Sequence, residues 1–108
     1  MNKLFDLSEK IIVLTGGTGL LGTEYTNVLL EAGATVIIAD LEKSNPNEKA
    51  ISLNNKYRNK IFGFNCDVSQ EKEVINLFKY VENNFNRLDV VINNAAATGE
   101  HLMREGAV

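Results

Sequence analysis

Apolar and polar positions along this chain follow two alternating rhythms. Short apolar runs rich in β-branched residues occur at Lys10–Thr15 (KIIVLT), Ala34–Asp40 (ATVIIAD), Ile61–Asp67 (IFGFNCD) and Leu88–Ala95 (LDVVINNA). Short runs without alternation predict strands buried on both faces, the pattern of a parallel sheet. Between them the spacing changes to three and four. Leu21, Tyr25, Val28, Leu29 and Ala32 share one helical face, and Gly33 supplies a C-terminal stop. Val74, Leu77, Phe78, Val81 and Phe85 form a second stripe after Ser69, a good capping residue, with Glu71 and Glu73 favourably placed against the helix dipole. A weaker helix is expected where Asn45 and Pro46 supply a cap and a first position, with Ala50, Leu53 and Tyr57 on one side. The expected architecture is α/β, in the order β-α-β-α-β-α-β with right-handed crossovers. No repeat or linker interrupts it, so residues 1–108 read as a single domain. The stretch ATGEHLMREGAV would start a further helix with no strand after it.

Composition narrows the partners. With 44% hydrophobic and 23% charged residues, the chain reads as an ordinary globular protein. The net charge of −3 is spread over interleaved acids and bases, which excludes the basic stripe that a nucleic acid demands. The local cluster Lys56, Arg58 and Lys60 reads as a solvated helix end. Cys66 is the single cysteine, so no internal disulfide forms, and it reads as a small buried hydrophobe. No Cys/His spacing suits a metal. The N-terminal MNKLFDLSEK meets Asp6 and Glu9 before any long apolar stretch, unlike a signal peptide. With no segment of membrane-spanning length either, a cytoplasmic location is expected. His101, the only histidine, lies in a polar tail and reads as a solvated bystander.

The first strand runs directly into TGGTGLLGTEY, a glycine loop that opens a helix. Glycine permits a tight turn and close approach of a diphosphate, and the free amides at a helix start then face the anion. Gly17, Gly19 and Gly22 fit the G-x-G-x-x-G spacing of dinucleotide-binding loops, and Gly16, Gly19 and Gly22 fit a variant register equally well. Asp40 closes the second strand, about where an acid that grips the adenosine ribose is expected. A carboxylate there accepts bonds from ribose hydroxyls and repels a 2′-phosphate, which favours NAD(H) over NADP(H). A tight strand–helix turn followed by a solvated aspartate is the plainer alternative.

Taken in order, TGGTGLLG, IIADL, CDVS and VINNAA resemble the cofactor half of the short-chain dehydrogenase/reductases, and FDLSEK before the first strand has the same flavour. The resemblance covers roughly Phe5 to Ala97. It implies a Rossmann-like three-layer sandwich with strand order 3-2-1-4, cut off after the fourth strand. It also implies roles for single positions. Gly16, Thr18, Gly19, Leu20 and Leu21 would surround the diphosphate, and Gly22 would let the helix pack close. Asp40 and the Leu41 backbone would take the adenosine ribose, Asp67 and Val68 would border the adenine, and Asn94, Ala95 and Ala96 would line the other ribose. Asn93 and Asn94 have a simpler role open to them, as caps of strand-end backbone groups. Leu20 stands where the shorter-subunit branch of the family usually has glycine. The T-G-x-x-G-x-x-G form is commoner in the extended branch, whereas NNAA and CDVS look like the shorter one.

The resemblance further implies a catalytic tyrosine with a lysine four residues on, and a serine that orients substrate. None of the three tyrosines qualifies: Leu29, Ile61 and Asn84 follow Tyr25, Tyr57 and Tyr80 at that distance. No catalytic residue is therefore assigned. Three readings follow: the NAD(H)-binding half of such an oxidoreductase, a stand-alone NAD-binding module without catalysis, or an interaction fragment with an idle site. LDVVIN would form an exposed edge strand, expected to be covered by a second copy, by the C-terminal tail or by a missing segment.

Overall fold

In the computed structural model, which describes residues 6–94, the expected sheet forms. Strands β1 (Ile11–Thr15), β2 (Thr35–Asp40), β3 (Ile61–Asn65) and β4 (Val90–Asn93) are all parallel, in the order β3-β2-β1-β4. Ile12 pairs with Val36 on one side and Val90 on the other, which sets the register of the central strand. Helices α1 (Leu20–Glu31), α2 (Pro46–Asn54) and α3 (Glu71–Phe85) connect successive strands. A 3-10 turn at Glu42–Ser44 precedes α2.

The pleat sorts the apolar runs into two cores. Ile12, Leu14, Val36, Ile38 and Ile61 face one way and pack with Leu30, Ala34 and Ala50, joined by Leu29, Leu53 and Tyr57. Ile11, Val13, Ile37 and Ala39 face the other way and meet Leu77, Val81 and Cys66, flanked by Phe62, Phe64, Tyr80 and Phe85. The layers are thus α1 and α2, the sheet, and α3. The topology explains this division. The chain moves outward from β1 to β3 and then jumps back past β1 to β4, so a constant crossover hand puts α3 on the opposite face.

Three local expectations need correction. The expected stripe on α1 is buried only in part: Leu29 and Ala32 reach the core together with Gly22, Thr26 and Leu30, whereas Leu21 and Val28 are 59% and 65% exposed. The first turn of α1 lies so close to the glycine loop that only glycine fits at position 22, and Leu20 and Leu21 are turned outward. Second, Ser69 does not cap α3. The N-cap is Gln70, without a side-chain bond, because the Asp67 carboxylate accepts both the Ser69 amide (2.9 Å) and hydroxyl (2.7 Å) in a local turn. Glu73 reaches back instead, accepting from the Asp67 amide at 2.9 Å. Third, β4 is not buried on both faces, with Val90 and Val91 42% and 46% exposed. It lies at the sheet edge, and no described element covers its outer side. At α2 the sequence reading holds: Asn45 is the N-cap in a left-handed conformation and Pro46 occupies the first turn.

An acid fixes the start of β4. The Asp89 amide donates to the Ile11 carbonyl (2.9 Å), while its carboxylate accepts from the Ile11 amide (2.8 Å) and is clasped by Arg87. The guanidinium, followed by the Ile11 amide, holds the Asp89 carboxyl below its ordinary value. Protonating it weakens this end of the β1–β4 ladder, so the contribution is present above the usual carboxylate range and is lost as pH falls through the depressed value.

Candidate functional site

The C-terminal ends of the four strands open on one side of the sheet, where strand order reverses around β1 and β4. In open parallel sheets this is where a crevice forms. The loop from Gly16 to Gly19 starts there, and its shape follows from its glycines. Gly16 adopts φ +67°, a left-handed conformation that costs a side-chain-bearing residue. A Cβ on Gly22 would lie 2.1 Å from the Gly16 carbonyl oxygen, so the first turn of α1 sits directly on the loop. Gly19, the N-cap of α1, differs from both. Its φ is −72°, and a Cβ there would meet nothing nearer than 3.8 Å. The folded chain does not need a glycine at this position; what its absence of side chain preserves is open space above a helix N-terminus.

The loop is braced from β4 across most of the sequence. Thr15, at the end of β1, donates its hydroxyl to Asn93 Oδ1 (2.9 Å) and accepts from the Asn94 amide (3.1 Å). The Asn94 side-chain nitrogen donates to the Gly16 carbonyl at 3.1 Å. Asn94 therefore does what the simpler reading proposed and caps a backbone group at a strand end, whereas Asn93 holds the Thr15 side chain instead. Thr15 escaped the sequence analysis; the only signal was one hydroxyl ending an otherwise apolar, buried strand.

Asp40 ends β2 with its carboxylate turned toward the same loop. Its Oδ2 accepts from the Thr18 hydroxyl (2.6 Å) and amide (3.1 Å), and its Oδ1 from the Leu41 amide (2.8 Å). The Cys66 amide donates to the Asp40 carbonyl at 2.7 Å, which carries the row of strand ends on to Asp67 and Val68. Burial raises the Cys66 thiol above its ordinary value, so it stays protonated and unreactive. The bonds from Ser69 lower the Asp67 carboxyl and occupy its Oδ1. Val68 and Leu41 are partly exposed, and Leu20 and Leu21 at the start of α1 more so. Gly16, Thr18, Gly19, Asp40, Leu41 and Asn94 thus form one bonded neighbourhood around the loop, with Gly22 packed against it. Ala95 and Ala96 lie outside the described residues, as does His101.

This arrangement suits an anion flanked by a hydroxyl-bearing group. The amides of the first turn of α1 have no partners within the helix, and they meet the positive end of its dipole. No residue between Gly16 and Gly22 carries a charge. Beside the crevice, Tyr25, Val28, Leu29, Ile92, Asn93 and Asn94 line an open hollow of about 480 Å³ between α1 and β4. Among the described residues, no helix is long and apolar enough to cross a membrane.

Comparison with known proteins adds sequence and fold relatives. The short chain dehydrogenase family model matches residues 10–107. Short-chain dehydrogenase reductase 3a of Arabidopsis thaliana is 34% identical over 89 residues, which are 82% of this chain and 34% of that protein. The chain thus spans about a third of the length of the curated relatives it matches. Among solved structures, the Pseudomonas aeruginosa RhlG/NADP active-site complex superposes with a TM-score of 0.81 at 30% identity, over 91% of this chain and 38% of that one. The NADPH-dependent 3-quinuclidinone reductase of Rhodotorula rubra gives a TM-score of 0.75 at 27% identity, over 82% and 34%.

Proposed function

This chain belongs to the short-chain dehydrogenase family, and on that premise we propose that its glycine crevice binds NAD(H) for an oxidoreductase reaction. The observation that carries the proposal is the bond between Asp40 and the glycine loop, from the Thr18 amide to Oδ2 at 3.1 Å. It keeps a carboxylate beside the loop that would hold the diphosphate. In this reading the amides of Leu20, Leu21 and Gly22 receive the diphosphate, with Gly16, Thr18 and Gly19 around it. Asp40 and the Leu41 backbone receive the adenosine ribose. Asp67 and Val68 border the adenine, Asp67 through its Oδ2, and Asn94, Ala95 and Ala96 flank the nicotinamide side. NAD supplies or accepts the hydride when bound; what these residues do is bind and orient it.

Charge favours NAD(H) over NADP(H), although one solved relative is an NADPH-dependent reductase and another an NADP complex. A 2′-phosphate would meet the Asp40 carboxylate, and no residue of the glycine loop from Gly16 to Gly22 carries a positive charge, while Glu42 and Lys43 after β2 offset each other. Like charges at such range cost several kcal/mol where water is partly excluded, about 4 at 4 Å. Titration calorimetry should therefore give NAD⁺ at least about tenfold tighter binding than NADP⁺, and Asp40→Ala should bring the ratio close to one. Equal or tighter binding of NADP⁺ by the unaltered chain would refute the preference. No binding of either nucleotide would remove the cofactor reading.

The same reading has the outer edge of β4 covered by further polypeptide, either a second copy or more of the same protein. Its support is the exposure of Val90 and Val91 beside the apolar hollow. Light scattering of the isolated chain should report a mass above 11.9 kDa. A stable, monodisperse monomer would rule out the second copy.

A further inference from the structure

We infer that Thr18 is a specificity-determining residue, one that reads the adenosine ribose jointly with Asp40 rather than only enclosing the diphosphate. The inference rests on the cofactor reading above and deepens it. Its basis is a count of acceptor sites. An ionised carboxylate offers about four lone-pair positions. At Asp40 three are taken: two on Oδ2 by the Thr18 hydroxyl (2.6 Å) and amide (3.1 Å), and one on Oδ1 by the Leu41 amide (2.8 Å). One position is left, on Oδ1. A ribose presents two neighbouring hydroxyls, and Asp40 in this arrangement has room for only one of them.

The second acceptor is Thr18 itself. Its single hydroxyl proton is committed to Asp40 at 2.6 Å, a short bond to a charged acceptor. Oγ1 is left with lone pairs only, and no donor among the described residues engages them. The carboxylate thereby fixes the polarity of the threonine. Together, Asp40 Oδ1 and Thr18 Oγ1 make a pair of acceptors, which suits a pair of donors and rejects a phosphate oxygen at either place. Thr18 belongs to the loop assigned to the diphosphate, which is attached at C5′, and C3′ is nearer that end of the sugar than C2′. The 3′ hydroxyl therefore falls to Thr18 and the 2′ hydroxyl to Asp40. Both protein donors to Oδ2 come from one residue, so the loop and the ribose-reading acid move together.

The test is titration calorimetry of the 108-residue chain and of Thr18→Val and Thr18→Ser. The probes are NAD⁺ and the analogue lacking the 3′ hydroxyl of the adenosine ribose. Thr18→Val keeps the side chain's shape, and the Thr18 amide still holds Asp40. It is expected to bind NAD⁺ about tenfold more weakly, while Thr18→Ser stays within about twofold of the unaltered chain. The analogue should cost the unaltered chain about tenfold and Thr18→Val clearly less, because valine removes the Thr18 acceptor and leaves the 3′ hydroxyl only the Oδ2 position that the Thr18 hydroxyl vacates. Equal analogue penalties in both proteins, or unchanged NAD⁺ binding by Thr18→Val, would overturn the role of Thr18 and leave the cofactor reading standing. An unaltered chain that binds no NAD⁺ would overturn both.

Discussion

Gly22→Ala is expected to unfold the chain or leave it only marginally folded. The added methyl would sit 2.1 Å from the Gly16 oxygen and 2.7 and 2.8 Å from backbone atoms of Gly17. None of these is the end of a flexible side chain that could swing away. Either α1 lifts off the sheet, taking Thr26 and Leu30 from the core, or the loop gives up its bonds to Ala39 and Asn94. Alanine's better helix propensity returns only about 1 kcal/mol. A net loss above about 4 kcal/mol follows, large against the 5–15 kcal/mol typical of a whole domain. Urea unfolding followed by circular dichroism measures it. A variant melting within about two degrees of the parent would show that α1 does not rest on the loop as described.

Gly19→Val should produce the opposite result: a folded protein that no longer binds. The position is exposed, its φ of −72° suits any residue, and the nearest atom to a new Cβ is 3.8 Å away. Valine is a poorer N-cap than glycine, so about 1 kcal/mol of stability is lost. The branched side chain would occupy the space above the α1 amides. Losing two charge-assisted bonds to a diphosphate, at about 1.5–3 kcal/mol each, lowers NAD⁺ affinity by at least about 100-fold. Calorimetry alongside a melting curve separates the two effects. Retained affinity would mean that the dinucleotide does not cross this helix start. Three residues apart, the two glycines distinguish a requirement of the fold from a requirement of the ligand.

Sequence alone revealed the sheet because β1 and β2 are apolar without interruption, a pattern that only a doubly covered strand supports. It also revealed the crevice, since strand, glycine loop, helix and acid occur in order within thirty residues of chain, Ile11 to Asp40. Two of its local readings failed for one reason: periodicity ranks residues by bulk, and polar groups compete for the same positions. On α1 the side packed tightest is the one with the smallest residues, so Leu21, Tyr25 and Val28 drew attention away from Gly22 and Thr26. At α3 the Ser69 hydroxyl had a nearer acceptor in Asp67 than any helix amide. The apolar β4 run predicts burial that the structure does not show, because the strand lies at the sheet edge with no described element covering it, as the edge expectation had it. Beyond reach altogether were contacts between distant residues. The bonds of Thr15 to Asn93 and Asn94 span 78 and 79 positions, and nothing in local composition announces them.

That long-range brace bears on the order in which the molecule takes shape. Strands β1 and β2 and helix α1 are neighbours in sequence and can assemble early, but the Gly16 carbonyl and the Thr15 hydroxyl wait for Asn93 and Asn94. Contacts between distant positions close late and slowly, after the loop entropy between them has been overcome. On a ribosome, the brace around the glycine loop would therefore close only once Asn94 has emerged, 78 residues after Gly16.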